Sequence, residues 1–201
     1  MLASDLANTN QGEAPSAENR VSGMANSDRI RLKFGSYGIE VIENDPRIRV
    51  SNLFSVSAGV KTNRTFAVVM YPAMVELAFR DEHEAIIKGQ SIGIVFKKNG
   101  WLIEKRNQYL GELTPFSDSS AIHSVFGDIG DIRPVIHVYS LIIKKDNDEF
   151  HYASIAEVHH PDYLGLEELK VISGIEPDDT LMKNRDTTDF LKIVQSKMQA
   201  A

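Results

Sequence analysis

The chain reads as an α+β protein: an antiparallel β-sheet of about six strands with helices inserted between its hairpins. Three observations predict this. Two pairs of strand-like runs are joined by short turns, 47–56 with 61–71 across Ser57-Ala58-Gly59, and 132–145 with 149–159 across Asp146-Asn147-Asp148. Connections this short make antiparallel hairpins. The helical patterns are grouped between the hairpins instead of alternating singly with strands, which is the α+β arrangement. Finally, no GxGxxG or GxxxxGKS/T run is present, and Gly35-Ser36-Tyr37-Gly38 is not a phosphate loop.

Taken in order, residues 1–26 are rich in Ala, Ser, Asn, Glu and Gly and are expected to be a disordered tail, with Met24 an alternative start. Ser27 and Asp28 suit an N-cap, and Gly35 a C-terminal stop, for a short amphipathic helix ending at Phe34; the alternation of Ile30, Leu32 and Phe34 also fits a strand. Residues 37–43 place Ile39 and Val41 on one face of a strand, and Asn44-Asp45-Pro46 is a turn. After the first hairpin, Pro72 ends the strand. A helix begins at Arg80-Asp81-Glu82, where acids suit the helix dipole. Lys88-Gly89-Gln90 interrupts it, Ser91 can cap a second helix over 92–98, and Asn99-Gly100 stops that helix. Residues 101–110 read as a strand. Residues 111–131 are polar around a short apolar centre, 122–126, and are expected to be partly helical or a flap. Pro161 ends the second hairpin, 164–170 can form a short helix, and 186–198 carry Phe190, Leu191, Ile193 and Val194 at helical spacing.

Composition narrows the function. A length of 201 residues allows one domain with tails, and 42% hydrophobic residues suffice for a core. A net charge of −6 without an Arg/Lys run argues against a general nucleic-acid binder. The absence of cysteine excludes disulfides, thiolate metal sites and cysteine nucleophiles, and fits a cytoplasmic protein. No apolar run reaches the roughly 18–20 residues of a membrane span.

Two charges stand out. Arg64 lies two residues before the run Phe66–Met70, a strand apolar on both faces and therefore central in its sheet. Its functional reading is a bidentate grip on a carboxylate, against the commoner case of a structural ion pair or a solvated strand end. Glu157 lies between Ile155-Ala156 and Val158, where burial would tune it as a general acid/base or as acceptor for a ligand hydroxyl, against a plain exposed strand glutamate. His159 and His160 are adjacent and point to opposite faces of a strand, so they cannot share an ion; His137 and His151 lie on partner strands and could approach. His83-Glu84 lacks HExxH spacing, so no metal is expected. The acidic run Glu176-Pro177-Asp178-Asp179 reads as a solvated loop.

Four features resemble the chorismate lyase-like superfamily, which includes chorismate pyruvate-lyases and the UTRA-type ligand-binding domains of bacterial regulators. Asn63-Arg64-Thr65-Phe66 resembles the lyase strand with its Gly-Arg-Thr run, with Asn63 in the place of glycine. Lys88-Gly89-Gln90-Ser91-Ile92-Gly93 resembles the lyase helix start. Ala156-Glu157-Val158-His159-His160-Pro161 resembles the final lyase strand, where proline follows a glutamate. The order of the first helix, Gly35 and a strand is similar too. The resemblance implies a domain over 27–163, with 164–201 as a C-terminal extension carrying a helix. It implies an antiparallel sheet with a cavity under helical flaps, and a cofactor-free elimination of pyruvate from chorismate that leaves 4-hydroxybenzoate. By position, Arg64 resembles the carboxylate-binding arginine and Glu157 the glutamate at the hydroxyl or ether end, with Ile92 and Gly93 near the ligand. The segment after Gly93 is longer and more polar than in the lyases. The expectation is a carbon–oxygen lyase acting on a small aromatic carboxylate. A non-catalytic sensor of a small anion, or a scaffold with interacting tails, are the other readings, since fold alone does not fix function.

Overall fold

In the computed structural model, residues 24–113, 119–175 and 185–201 are described. Residues 1–23, 114–118 and the acidic run 176–179 lie outside them; of the tail expected over 1–26, residues 24–26 are described, and Asn26 is buried at the start of the first helix. The elements are α1 (Asn26–Phe34), β1 (Gly38–Asn44), β2 (Ile48–Ser57), β3 (Val60–Met70), a single 3-10 turn (Leu77–Phe79) leading into α2 (Arg80–Ile87), α3 (Ile92–Lys98) and β4 (Leu102–Glu112). There follow α4 (Ser119–Phe126), β5 (Val135–Lys145), β6 (Asp148–His159), α5 (Leu166–Ser173) and α6 (Arg185–Ala200).

The six strands form one antiparallel sheet in the order β1-β2-β3-β6-β5-β4. The fold is therefore the expected α+β class, with both hairpins in place and β3 and β6 at the centre. The β2–β3 hairpin closes on Ala58 (φ 48°) and Gly59 (φ 80°). Positive φ at both loop positions is the geometry that matches the twist of the strands. At the turn before β2, the Asp45 carboxylate accepts hydrogen bonds from the amides of Arg47 and Ile48 (2.7 and 2.8 Å).

Both faces of the sheet are covered. On one, Phe66, Val68, Val138, Ala156 and Val158 pack under α4 and α6 through Val125, Phe190, Val194 and Met198. On the other, two helical groups stand apart. Helices α2 and α3 close one end with an aromatic cluster in which Phe79 meets Phe96, Trp101, Phe150 and Tyr152 at ring separations of 5.5–6.3 Å. Helices α1 and α5 close the other end through Ile30, Tyr163, Leu164 and Leu169, packed on Leu53, Ala67 and Val135. The gap between these two groups is the cavity described below.

Three boundaries differ from the sequence reading. Helix α1 starts at Asn26, with Ala25 rather than Ser27 or Asp28 at the cap position, because the Asn26 side chain is turned inward to polar partners on the sheet. Within 111–131, β4 runs on to Glu112, and the helical part, Ser119–Phe126, forms α4 on the face opposite the cavity. The expected C-terminal extension is part of the core: α5 covers one face and α6 the other, since the apolar faces of the sheet would otherwise be exposed to water.

Candidate functional site

Strand periodicity decides which side chains meet. Because side chains alternate between faces, one face of the sheet carries Arg49 and Ser51 from β2, Thr65, Ala67 and Val69 from β3, and Ile155, Glu157 and His159 from β6. His137 and Tyr139 from β5, with Lys105 and Asn107 from β4, complete this floor. The cavity above it has a volume of 530 Å³. Its walls come from residues 24–29 at the start of α1, from Ser91, Ile92 and Gly93 at the start of α3, and from Leu169 and Ile172 of α5.

Glu157 lies at the centre of the floor and is 6% exposed. Asn26 Nδ2 donates to its Oε1 (3.1 Å), and Lys105 Nζ stands 3.7 Å from its Oε2. Burial alone would raise the carboxyl pKa, but Lys105, His159, His137 and Arg29 outweigh it and hold the pKa down at about 2. Glu157 is therefore a carboxylate at neutral pH, an acceptor and base rather than a proton donor. The Lys105 ammonium sits 4.2 Å from the centre of the Tyr139 ring. Burial pulls its pKa down, with Glu157 opposing, so the acid of the pair is Lys105. Burial, and then the Glu157 charge, push the Tyr139 phenol well above its usual range.

Asn26 organises the rest of the network. Its Nδ2 also donates to Thr65 Oγ1 (3.2 Å), and the Tyr163 hydroxyl donates to its Oδ1 (2.5 Å). Thr65 Oγ1 lies 3.0 Å from His159 Nδ1. His159 Nε2 is buried without a hydrogen-bond partner. His137 Nε2 donates to Asn107 Oδ1 (2.8 Å), while Asn107 Nδ2 donates to the Ser173 carbonyl (2.8 Å). Burial lowers the His137 pKa to about 4 and the His159 pKa to about 3, so both imidazoles are neutral at pH 7.

Arg49 is the second charge on this floor. It is 2% exposed. Its Nη1 donates to the carbonyl of Gln90 (2.9 Å) and, more weakly, to that of Ile86 (3.4 Å), at the end of α2. Its Nε and Nη2 have no hydrogen-bond partner among the described residues.

Glu157, Ile92 and Gly93 are thus brought together around one cavity, as expected of them, while Arg64 is not among its lining residues. The reason is a β-bulge. Leu53 pairs with Thr65 and Phe54 with Asn63, which leaves Arg64 as the extra residue on β3. Its Nε donates to Ser55 Oγ (2.9 Å) and its guanidinium stacks 3.7 Å from the centre of the Phe34 ring. The adjacent histidines do separate: His159 lines the cavity, and His160 stacks edge-on against Phe126 of α4 (5.7 Å). His137 and His151 are held apart by register, since His137 pairs with Glu157 and His151 with Ile142. Among the described residues, no group of three or more His, Asp or Glu is arranged to hold a metal ion.

Sequence reasoning missed Arg49, Lys105 and Asn26. Arg47-Ile48-Arg49-Val50 alternates charge with apolar residues, which by itself reads as a strand with one wet face. The available signal was the shared phase of Arg49, Thr65, Lys105, His137, Glu157 and His159, which is visible only once the strand register is known. The chain matches no protein-family model and no curated protein. Among the described residues, no helix is long and apolar enough to cross a membrane.

Proposed function

We propose that this chain is a cofactor-free carbon–oxygen lyase acting on a small aromatic carboxylate, with chorismate the first substrate to test. The observation that carries this reading is the buried Glu157 carboxylate beside the Lys105 ammonium on the floor of a cavity of 530 Å³. Glu157 stands four residues before Pro161, at the position that the resemblance to the chorismate lyase-like superfamily assigned to the hydroxyl or ether end of the ligand. The volume suits a ligand of this size, at the smaller end of the range for small-molecule sites.

In this reading the ring enters between the Tyr139 side and the apolar wall of Ile92 and Leu169. The Glu157 carboxylate accepts a hydrogen bond from the ring hydroxyl in place of the Asn26 amide. Elimination cleaves the ether bond between ring carbon and oxygen and removes a ring proton to restore aromaticity. The departing enolpyruvate takes up a proton to leave as pyruvate. Lys105 supplies a proton at the departing oxygen, and burial, which lowers its pKa, makes it a better donor than a solvated lysine. Charge that develops on that oxygen is met by a cation already in place.

A second reading, a sensor that binds a small anion without turnover, is favoured by one observation: both Glu157 oxygens are already engaged, by Asn26 and Lys105. Incubation with chorismate, followed by separation of 4-hydroxybenzoate and pyruvate, tests both. Equimolar formation of the two products, lost in Glu157→Gln and reduced in Lys105→Met, is the expected result. Saturable binding of 4-hydroxybenzoate without any turnover overturns the lyase and leaves the sensor.

A further inference from the structure

Lys105 is placed unlike an ordinary ion-pair lysine. Its ammonium lies 3.7 Å from Glu157 Oε2 and 4.2 Å from the centre of the Tyr139 ring, on the floor of the cavity. Neutralising Glu157 accounts for the charge but not for the access. The side chain is 33% exposed and lines the cavity, so a small molecule inside meets it. The protein packed around it nonetheless pulls its pKa down, which raises the share of free amine, the nucleophilic form. An amine of this kind, opening into an enclosed site beside a carboxylate, is an arrangement that condenses with a carbonyl group. The lining also favours an anion. Arg29, Arg31, Arg49 and Lys97 line the cavity with Lys105, against Asp28 and Glu157, in a chain whose net charge is −6. Arg31 and Asp28 pair with each other (3.6 Å), and the excess that remains is positive and draws in negatively charged molecules.

We propose that Lys105 is the attachment site of a small 2-oxo carboxylic acid, which it binds covalently as an imine. In the condensation the new bond joins Nζ to the 2-oxo carbon, and the bond from that carbon to its oxygen breaks. Starting from the ammonium, two of its three N–H protons leave on that oxygen as water. The product is a protonated imine with the same single positive charge, so no oxidant, reductant or outside proton is needed. Glu157 faces a cation before and after the step, and it is the base beside Nζ that can carry a proton from nitrogen to the departing oxygen. The Tyr139 ring likewise faces a cation in both states. Leu141, which pairs with Lys105 across the strands, gives the apolar end of the acid a floor, and the carboxylate meets the positive lining. The inference concerns the same cavity as the proposed lyase but needs no turnover of chorismate.

The test treats the full chain at neutral pH with pyruvate, the simplest 2-oxo acid, and with sodium borohydride, which reduces an imine to a stable secondary amine. Intact mass and peptide mapping follow. The expected result is a single reduced adduct, on Lys105, with Lys97 at the cavity and the exposed Lys88 left unmodified. The adduct is lost in Lys105→Arg, which keeps the charge but cannot form an imine. Methyl pyruvate, the uncharged ester with the same carbonyl, is expected to mark Lys105 no more than the other lysines, and a chain unfolded in urea to show no preference for Lys105. If Lys105→Arg fails to fold, peptide mapping of the parent chain still decides. No adduct on Lys105 overturns the proposal, as do adducts spread evenly over the lysines, the same pattern in the unfolded chain, or equal marking of Lys105 by the ester. A Lys105 adduct in a chain that leaves chorismate intact supports this site and removes the lyase; turnover of chorismate without an adduct does the reverse.

Discussion

Lowering the pH from 7 to 4.5 will remove about 5 kcal/mol of folding stability through His137 and His159 alone. Both are buried, 4% and 1% exposed, and both have folded pKa values, about 4 and about 3, below the ordinary 6.5. The sign follows from proton counting. Below pH 6.5 the unfolded chain takes up a proton at each ring, while the folded chain refuses until pH falls to about 4 and about 3. The unfolded state therefore binds more protons, and stability falls as pH falls, by about 1.4 kcal/mol per pH unit for each histidine over that window. Between pH 7 and 4.5 the loss is about 2.5 kcal/mol per ring. Glu157 contributes in the same direction only lower down: its folded pKa of about 2 is depressed, so its share of stability is present above the ordinary 4.5 and is lost as pH drops from there towards 2. Urea melts at a series of pH values measure this directly. His159→Gln lowers stability at neutral pH but is expected to halve the slope between pH 6 and 4.5. A parent protein whose stability is flat over that range, or a His137→Asn/His159→Gln double variant that keeps the full slope, would refute the reasoning.

Two further outcomes test the architecture around the site. Asn26→Ala removes the amide that joins α1 to Glu157, Thr65 and Tyr163, and is expected to cost about 2 kcal/mol in urea melts, because buried partners are left unsatisfied; a cost below about 0.5 kcal/mol would show that the network does not hold α1. Phe79→Ala opens a void among Phe96, Trp101, Phe150 and Tyr152 and is expected to cost about 3–5 kcal/mol in thermal or urea unfolding, with a changed Trp101 emission; an unchanged spectrum would contradict the packing of that cluster.

Much of the architecture was legible because it is encoded locally. The turn chemistry at Ser57-Ala58-Gly59 and Asp146-Asn147-Asp148 specified both hairpins, and the left-handed Gly35 (φ 74°) ended α1 where a glycine stop was expected. The two-sided apolar run of Phe66–Met70 marked β3 as central, and it is. Glu157, as the lone charge in a small and apolar run, was recognisable as a candidate because a charge there has to be compensated by something. The helix stop and restart at 88–91 placed the start of α3, while Ile92 and Gly93 were singled out by the resemblance and do line the cavity there.

What only the tertiary structure decided is which charges share the cavity with Glu157. Arg64 and Arg49 both lie in the first hairpin, and each is a single charge beside apolar residues. A bulge between Leu53 and Phe54 leaves Arg64 unpaired and carries it to Ser55 and Phe34, while strand phase alone places Arg49 over the floor. A bulge shifts the face of every residue beyond it, and no local pattern in this stretch announces one. Lys105 and Asn26 reach Glu157 from β4 and from α1, separated from it by 52 and 131 residues, and only the sheet order β3-β6-β5-β4 and the docking of α1 bring them to it. The chain determined its elements and marked out Glu157 through short-range chemistry; the partners of that acid were set by register and packing, which depend on the whole sheet at once.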